Sequence, residues 1–193
     1  MALDQAQPSR SWPRGALWRR LRWIVVPIVV VPLTAVLFTG FGRDPSVIPS
    51  PLIGKPMPSF SLTALDGHTV SSAELAGKPL IVNFWASWCA PCVQEHPVLL
   101  DTARRYGERV AIVGILYNDT AEGAAGFLAR YGDGGWPDLL DPSGGTAVSF
   151  GVTGPPETFF VDASGVVRGK QFGPVTADVV TAQLAALGVK ATP

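Results

Sequence analysis

The sequence predicts an α/β domain in which helices flank a central mixed sheet. Two continuous apolar runs, Leu80–Trp85 and Val110–Tyr117, have the composition of strands that are buried on both faces. Helical patterns separate and follow these runs, and the turn sequence Asp162–Gly165 joins two further strand patterns as a hairpin. With 193 residues, of which 47% are hydrophobic, the chain can bury one ordinary core and carry an additional segment.

The elements of this domain are predicted in chain order. A short hairpin opens it, because the strand pattern at 59–62 is followed by the segment 65–70, which contains an Asp66-Gly67 turn. Next come a helical turn at 72–75, the strand 80–85, a helix at 90–106, the strand 110–117 and a helix at 120–131. A turn-rich segment at 132–145, a short helix at 146–150, strands at 158–161 and 166–172 and a helix at 176–187 complete the domain. Pro97 lies inside the long helix and should bend it.

The two cysteines, Cys89 and Cys92, lie where the first buried strand gives way to a helix. Residues three apart in the first turn of a helix share a face, and their separation suits a disulfide. The unpaired N–H groups and the positive dipole end at the helix start favour a thiolate at Cys89. Cys89 is therefore the predicted nucleophile, and Cys92 is the predicted resolving thiol, less exposed than Cys89. Pro91 suits the first helical turn because it has no N–H to leave unpaired.

Other uses of a Cys-x-x-Cys pair fit this sequence less well. Zinc needs two further ligands, and His68 and His96, both expected to be surface residues, are the only histidines. Haem attachment requires a histidine directly after the second cysteine, where Val93 stands. A copper carrier would have a longer cysteine spacing, and an inert disulfide across so small a loop would add little stability. We therefore expect a redox-active Cys89–Cys92 disulfide, no metal and no cofactor.

The N-terminal part of the chain has a membrane signature. Residues 1–22 contain five arginines against one acidic residue, and residues 23–42 contain no charge. About 20 apolar residues suffice to span a bilayer as a helix, and the arginines predict a cytoplasmic N-terminus. We expect a single-pass signal anchor over 23–42 in the cell (inner) membrane, with an extracytoplasmic or periplasmic catalytic domain. The alternative is a cleaved signal peptide, for which Gly40-Phe41-Gly42 is a poor site.

The remainder of the chain has a weakly acidic composition. The Pro-rich stretch 43–58 is predicted to be an extended, poorly packed linker to a domain that covers 59–190. Residues 43–193 contain 10 basic and 14 acidic residues, which leaves a net charge of −4. No basic patch remains on the domain, so nucleic-acid binding is not expected.

Four segments carry a resemblance to a known family. They are Gly54–Phe60 together with Leu65–Gly67, the active-site stretch Val82–Pro97, the segment Gly114–Asp119, and Gly151–Asp162, which contains Pro-Glu-Thr-Phe. In this order and spacing they resemble the membrane-anchored thioredoxins of cytochrome c maturation, called CcmG, DsbE or ResA, with relatives of TlpA type. The resemblance covers roughly residues 54–188. It implies the thioredoxin fold, with an N-terminal hairpin extension and a central insertion, and thiol–disulfide oxidoreductase activity.

The resemblance also implies a substrate groove beside the cysteines. Pro156 aligns with the cis-proline that faces the disulfide in this family, although an ordinary trans turn at Pro155-Pro156 is the alternative. Trp88 would cover the site, and Pro91 and Glu157 would line the groove with Pro156.

One further acidic residue is implied to act on the cysteines. Glu95 follows Cys92 by one helical turn and would tune the pair or relay protons, with a solvated surface glutamate as the alternative. Asn83 stands where ordinary thioredoxins carry a buried aspartate, which makes Glu95 the natural substitute.

The resemblance implies a reductant of exported proteins. Its client would be the Cys-x-x-Cys-His segment of an apocytochrome c or another exported disulfide-containing protein. A membrane thiol transporter would supply the electrons, and the protein would act as a monomer. The alternatives are a disulfide-forming oxidant, a general thiol reductase, as in copper-site assembly, and a non-catalytic factor that holds its client by the Pro156 groove.

Overall fold

The computed structural model of this chain describes residues 23, 25–32, 34 and 50–190. The chain divides into two units, Met1–Pro45 and Ser46–Pro193, and the described residues of the first unit are helical. Within the described ranges, no helix combines the length and the apolar character needed to cross a membrane. The predicted basic segment 1–22 lies outside the described residues, as do residues 24, 33 and 35–42 of the predicted anchor.

The second unit is built on one mixed sheet. Its strands are β1 Ser61–Ala64, β2 Thr69–Ser71, β3 Leu80–Trp85, β4 Ala111–Leu116, β5 Asp138–Leu140, β6 Glu157–Val161 and β7 Val167–Phe172. They lie in the order β2-β1-β5-β4-β3-β6-β7. The β3–β4 and β4–β5 pairs are parallel, and the other pairs are antiparallel. The predicted mixed sheet is therefore confirmed.

Four α-helices of this unit connect and cover the strands. They are α1 Ala90–Tyr106, α2 Ala121–Tyr131, α3 Gly145–Phe150 and α4 Ala177–Ala186, numbered within the unit, and a short 3₁₀ turn Gly107–Arg109 follows α1. Threonine side chains cap α2 and α4, because the Thr120 hydroxyl accepts from Gly123 N and the Thr176 hydroxyl from Val179 N. α1 continues as one helix through Pro97.

Alternation along β3 and β4 divides the core between the two faces of the sheet. Leu80, Val82 and Phe84 point to one face, where they pack with Phe150 and Phe159. Ile81 and Ile112 point to the other face and pack with residues of α1 and α4, among them Leu99, Tyr106, Val180 and Leu184. All six residues of β3 are buried, as its continuous apolar run predicts.

The segment 132–145 differs from its prediction as a turn-rich excursion, because it contains β5. β5 pairs in parallel with β4 and antiparallel with β1, so it joins the N-terminal hairpin to the rest of the sheet. It has only three residues and directly follows Pro137, so its sequence carries no strand periodicity. The pairing with β4 and β1, rather than local propensity, makes this segment a strand.

The helical turn predicted at 72–75 is also wrong. Isolated turns replace it, closed by bonds from Glu74 N to Ser71 O and from Ala76 N to Ala73 O. Gly77 adopts φ +96°, and its N–H donates to Ala163 O. This donor is therefore not available to continue a helix.

The second half of the predicted linker 43–58 packs against the domain. Gly54 N donates to Val167 O at 2.8 Å, Val167 N to Lys55 O at 3.0 Å, and Met57 N to Gly165 O at 2.8 Å. Leu52 and Met57 lie against the core cluster of Phe84 and Phe159. The expectation of a poorly packed spacer is therefore wrong for residues 50–58, because their backbone finds partners at the start of β7.

Candidate active site

Cys89 and Cys92 lie at the junction of β3 and α1, as the sequence predicts. Cys89 is the N-cap of α1, with extended backbone angles, and its Sγ accepts from Cys92 N at 3.2 Å. The two cysteines form a disulfide with a Cα–Cα separation of 5.3 Å. The N-cap position supplies N–H groups and the positive end of the helix dipole to the sulfur of Cys89. This environment would stabilise a thiolate at Cys89 once the disulfide is reduced.

The predicted difference in exposure between the cysteines is not seen in this oxidised form. Cys89 is 3% and Cys92 is 2% exposed, so both sulfurs are covered by neighbouring residues. They pack with Trp85, Ala86 and Leu116, and with Phe127 of α2. The assignment of Cys89 as nucleophile therefore depends on its N-cap position, and its role stays a prediction.

Trp88 and Pro91 lie at the surface beside the disulfide. Trp88 is 58% exposed, and its Nε1 donates to Asn118 O at 3.2 Å. Asn118 has φ +49°, which is uncommon outside glycine. Pro91 is exposed in the first turn of α1. Trp88 and Pro91 therefore present an indole ring and a pyrrolidine ring to solvent next to the disulfide.

The loop before Cys89 is fastened to the turn that follows β4. Ser87 N donates to Asp119 Oδ2 at 2.5 Å, and Ser87 Oγ donates to Asp119 Oδ1 at 3.1 Å. Asp119 also accepts from Thr120 N, immediately before α2. One carboxylate thus fixes the loop that leads to Cys89, a role that the sequence does not indicate.

A groove extends from Trp88 along this turn to α3. Its walls include Tyr117, Asp119, Pro142 and Val148. Pro156 and Glu157 are not among the residues that line this groove.

The peptide bond between Pro155 and Pro156 is cis, as the resemblance implies. Pro156 is buried and directly precedes β6. Glu157, the next residue, pairs with Phe84 of β3. Pro156 therefore lies at the same end of β3 as the loop that leads to Cys89.

Glu157 does not line a groove, contrary to the expectation. It is 1% exposed, and Oε1 accepts from Thr153 N at 2.8 Å, from Thr153 Oγ1 at 2.7 Å and from Gly154 N at 3.3 Å. Lys170 Nζ lies 2.6 Å from Oε2, and the Lys170 side chain is also buried. The Lys170 ammonium lies over the rings of Phe159 and Phe172. Glu157 is thus a structural carboxylate that holds the loop before Pro156.

Glu95 is a buried carboxyl group, so the alternative of a solvated surface glutamate is wrong. Its Oε1 accepts from Asn83 Nδ2 at 2.8 Å, and its Oε2 accepts from Val175 N at 2.9 Å. Asn83 Nδ2 also donates to Thr158 Oγ1 at 3.0 Å. Burial raises the pKa of Glu95 to about 7, while the bonds from Val175 and Asn83 act in the opposite direction. Glu95 can therefore exchange a proton near neutral pH.

Two further polar side chains are buried near Glu95, and the sequence analysis missed both. His96 was expected at the surface, but it is buried, with Nε2 2.8 Å from Gly132 O and its ring against Phe127. Asp138, the first residue of β5, is buried and accepts from Trp85 Nε1 at 2.8 Å. The partners of both lie more than 30 positions away in the sequence, so no local pattern indicates them.

Comparisons with known proteins agree with this architecture. The Redoxin family matches residues 52–186. The thiol:disulfide interchange protein DsbE of Allochromatium vinosum is 44% identical over 158 residues, which cover 80% of this chain and 86% of that protein. The thiol:disulfide interchange protein HelX of Rhodobacter capsulatus is 37% identical over 167 residues, which cover 82% of this chain and 93% of that protein.

A solved structure is also similar to this chain in fold and in sequence. The thiol:disulfide interchange protein from Chlorobium tepidum, of the thioredoxin family, superposes with a TM-score of 0.61 at 30% identity. The match covers 68% of this chain and 94% of that one. The family match includes β3, the Cys89–Cys92 pair and the cis-proline before β6. The chain therefore belongs to the Redoxin family, and it is a thiol–disulfide oxidoreductase with a thioredoxin fold.

Proposed function

We propose that this protein is a membrane-anchored, extracytoplasmic reductant whose client is the Cys-x-x-Cys-His segment of an apocytochrome c. The observation that carries the proposal is the N-cap position of Cys89, whose Sγ accepts from Cys92 N at 3.2 Å. A sulfur held in this way favours the thiolate, which is the species that attacks a disulfide. The similarity to proteins named DsbE and HelX supports the same chemistry.

In the proposed reaction, the Cys89 thiolate attacks one sulfur of the client disulfide. A mixed disulfide forms, and the second client sulfur leaves as a thiolate. Cys92 then loses its proton and attacks Cys89, which breaks the mixed disulfide and releases the client as a dithiol. The client gains two electrons, and the protein becomes the Cys89–Cys92 disulfide. Glu95, with its pKa near 7, is suited to accept the proton of Cys92.

The proposed client-binding surface lies around the exposed residues beside the redox pair. Trp88 and Pro91 present exposed rings there, and the groove continues from Trp88 past Asp119 to Val148. The backbone before Pro156 is proposed to pair with an extended client, as in the family that the sequence resembles. Asp119 would orient this surface through its bonds to Ser87.

The anchor is proposed on the composition of the N-terminal segment. Residues 23–42 contain no charged side chain, and five arginines precede them. We expect the full chain to stay in the membrane pellet after carbonate extraction and a chain without residues 1–42 to leave it. Alkaline phosphatase fused after residue 193 should be active, because this enzyme needs an oxidising compartment to form its disulfides. An inactive fusion, or extraction of the full chain, would contradict the proposed topology.

The client is tested by trapping the mixed disulfide. The Cys92→Ser variant of the full chain, in detergent, is mixed with an oxidised Cys-x-x-Cys-His peptide and analysed by mass spectrometry. We expect a peptide adduct on Cys89, which is the only cysteine of this variant. Cys89→Ser is the matched control and should trap far less. A scrambled peptide with the same cysteines should also trap less, and equal trapping would favour a general thiol reductase instead.

The direction of the reaction is tested by the reduction potential. A reductant should have a value near that of thioredoxin, about −270 mV, or only modestly higher. A value near −120 mV is typical of strong oxidants and would make this protein a disulfide-forming enzyme. A double Cys-to-Ala variant that still supported cytochrome maturation would instead favour a holding function without catalysis.

The thiol transporter that would re-reduce the pair is the remaining partner of the proposal. The compartment outside the cytoplasm is oxidising and does not reduce the Cys89–Cys92 disulfide. The electrons that reduce it must therefore come across the membrane. Co-expression with a membrane thiol transporter should keep both cysteines open to alkylation. Cysteines that stay oxidised in its presence would contradict this part of the proposal.

A further inference from the structure

A row of polar and small residues crosses the sheet beneath α1. Asn83 of β3 pairs with Thr158 of β6 on one side and with Gly114 of β4 on the other, and Gly114 pairs with Asp138 of β5. Residues paired across neighbouring strands lie on the same face of a sheet. The face is the one that Glu95 of α1 covers, because Glu95 accepts from Asn83. The row thus places Asp138 on the same side of the sheet as the redox helix.

A hydrogen bond from Trp85 holds Asp138 within this row. Trp85 Nε1 donates to Asp138 Oδ1 at 2.8 Å, and Trp85 is the last residue of β3, four positions before Cys89. The bond passes over Gly114, where a Cβ atom would lie 1.9 Å from Asp138 Oδ1 and 2.6 Å from Trp85 Nε1. Glycine at this strand position therefore leaves the space that the Trp85–Asp138 bond occupies.

Asp138, Glu95 and Cys92 line one small interior cavity. Asn83, Trp85, His96, Leu99, Phe127 and Trp136 complete its wall. The two carboxyl groups thus face the cysteine predicted to resolve the mixed disulfide, and not the client side at Trp88. A charge that appears on a sulfur at this cavity acts on both carboxyl groups through a medium that is poor in water.

The groups that face Asp138 determine its charge. From α1 these are Glu95, His96 and, in the reduced protein, Cys92, and from the segment before β5 it is Asp133. Burial raises the pKa of Asp138 to about 7, and the negative charge of Asp133 also raises it. The hydrogen bonds from Trp85 and Trp136 act in the opposite direction. Asp138 and Glu95 therefore change protonation in the same pH range.

We propose that Asp138 is a second, positioning carboxyl of the redox centre, which takes up a proton when the Cys89–Cys92 disulfide is reduced. The sulfur–sulfur bond accepts two electrons from a dithiol, which itself becomes a disulfide, and a thiolate and a thiol remain at the pair. The new thiolate is expected at Cys89, next to Cys92, which lines the cavity with Asp138. Its negative charge disfavours a nearby carboxylate, so Asp138 binds a proton from solvent. Oxidation by a client releases that proton again. The inference rests on the thiol–disulfide exchange of this centre, and not on its direction or its client.

The test is the pH dependence of the equilibrium with dithiothreitol, measured on the full chain in detergent between pH 5.5 and 9. Each additional proton taken up changes the equilibrium constant tenfold per pH unit, which is about 30 mV. Asp138→Asn retains an oxygen acceptor for Trp85 and removes only the titration. We expect this variant to lose one proton-uptake step, Glu95→Gln to lose another, and the double variant to lose both. A D138N curve that coincides with the wild type, or differs from it by a constant offset at all pH values, would overturn the proposal.

Two further variants should shift the pH of the proton-uptake step assigned to Asp138 without removing the step. Trp85→Phe removes the stronger of two indole donors that lower the pKa of Asp138, so the step assigned to Asp138 should move to higher pH. Asp133→Asn removes a neighbouring negative charge, so the same step should move to lower pH. A merely structural role of Asp138 predicts neither shift, and steps that stay in place in both variants would overturn the proposal. Because no client enters this measurement, its result is independent of whether the peptide-trapping experiment succeeds.

Discussion

Glu95 is a carboxyl group enclosed between α1, the sheet and the loop before α4. Asn83, at the place where ordinary thioredoxins carry an aspartate, supplies an amide donor and not an acid. The only acid in direct contact with Asn83 is therefore Glu95, among the residues that the structure describes. The helix position that makes Glu95 follow Cys92 by one turn also gives it the burial that raises its pKa to about 7.

This burial makes stability depend on pH in a defined direction. The folded pKa of Glu95, about 7, is above the ordinary value of 4.5, so the folded protein binds more protons than the unfolded chain between these values. The contribution is complete below pH 4.5 and is lost as the pH rises to about 7. We expect the oxidised protein to lose up to about 3 kcal/mol of unfolding free energy from this group, measured in urea between pH 5 and pH 8.

Glu95→Gln should flatten this dependence, because the amide does not titrate. Asp138, whose pKa is also raised to about 7, contributes in the same direction and should leave a residual slope in this variant. Glu122→Gln, which changes an exposed glutamate of α2, is the control and should keep the wild-type slope. A Glu95→Gln slope equal to that of the wild type would show that the pKa of Glu95 is not raised in the folded protein.

Lys170 and Glu157 form a buried ion pair, although the resemblance implied that Glu157 lines the substrate groove. Lys170→Met keeps the aliphatic contacts with Phe159 and Phe172 but leaves the Glu157 carboxylate without its cation. Breaking a buried ion pair in this way costs about 3–5 kcal/mol, and we expect a loss of that size in urea unfolding. The double variant with Glu157→Gln should recover part of it. A loss below about 1 kcal/mol for Lys170→Met would mean that the pair is not desolvated.

At the scale of elements, strand β4 is shaped by the bond that crosses it. Gly114→Ala would place a methyl group 1.9 Å from Asp138 Oδ1, so the Trp85–Asp138 bond must break or the strands must separate. We expect a loss of about 2 kcal/mol or more in unfolding free energy, together with a shift of the tryptophan emission. Gly126→Ala on α2 is the matched control, because its Cβ would meet nothing within 4 Å. That variant should be neutral or slightly stabilising, and equal losses in the two variants would contradict the close approach at Gly114.

The elements that sequence reasoning predicts correctly are those with a strong local cause. The apolar run of β3 predicts burial on both faces, and the helical patterns at 120–131 and 176–187 predict α2 and α4. β5 is missed because its three residues acquire strand geometry only by pairing with β1 and β4. The burial of His96 is missed because its partner is Gly132 O, 36 positions away.

In the candidate site, too, features with a local sequence signal are predictable, and features that depend on distant partners are not. The cysteine pair and the cis Pro156 are predictable, since the spacing and the family motif lie within short segments. The Trp85–Asp138 bond joins residues 53 positions apart, and the sequence offers no signal for it. Glu157 is adjacent to Pro156 in sequence, but its side chain turns to Thr153 and Lys170 and away from the groove. Motifs thus locate the reacting atoms, whereas the packing around them decides which neighbouring acids act on them.

At the scale of the whole molecule, residues 50–58 are part of the domain and not a tether to it. The three backbone bonds that join Gly54, Lys55 and Met57 to β7 and its preceding turn contribute about 1 kcal/mol each. Leu52 and Met57 add apolar burial against the core, so the segment should contribute about 5 kcal/mol in total.

This contribution is large compared with the 5–15 kcal/mol that stabilises a typical domain. We therefore expect a chain that starts at residue 59 to be marginally folded or unfolded in urea titrations, and a chain that starts at residue 46 to unfold cooperatively. Lys55→Ala in the longer chain is the control, because it changes an exposed side chain and keeps the backbone bonds, so it should leave the unfolding midpoint unchanged. Equal midpoints for the two truncated chains would mean that residues 50–58 add nothing to stability. The Pro-rich composition would then describe a spacer after all, although its backbone pairs with β7 in the oxidised protein.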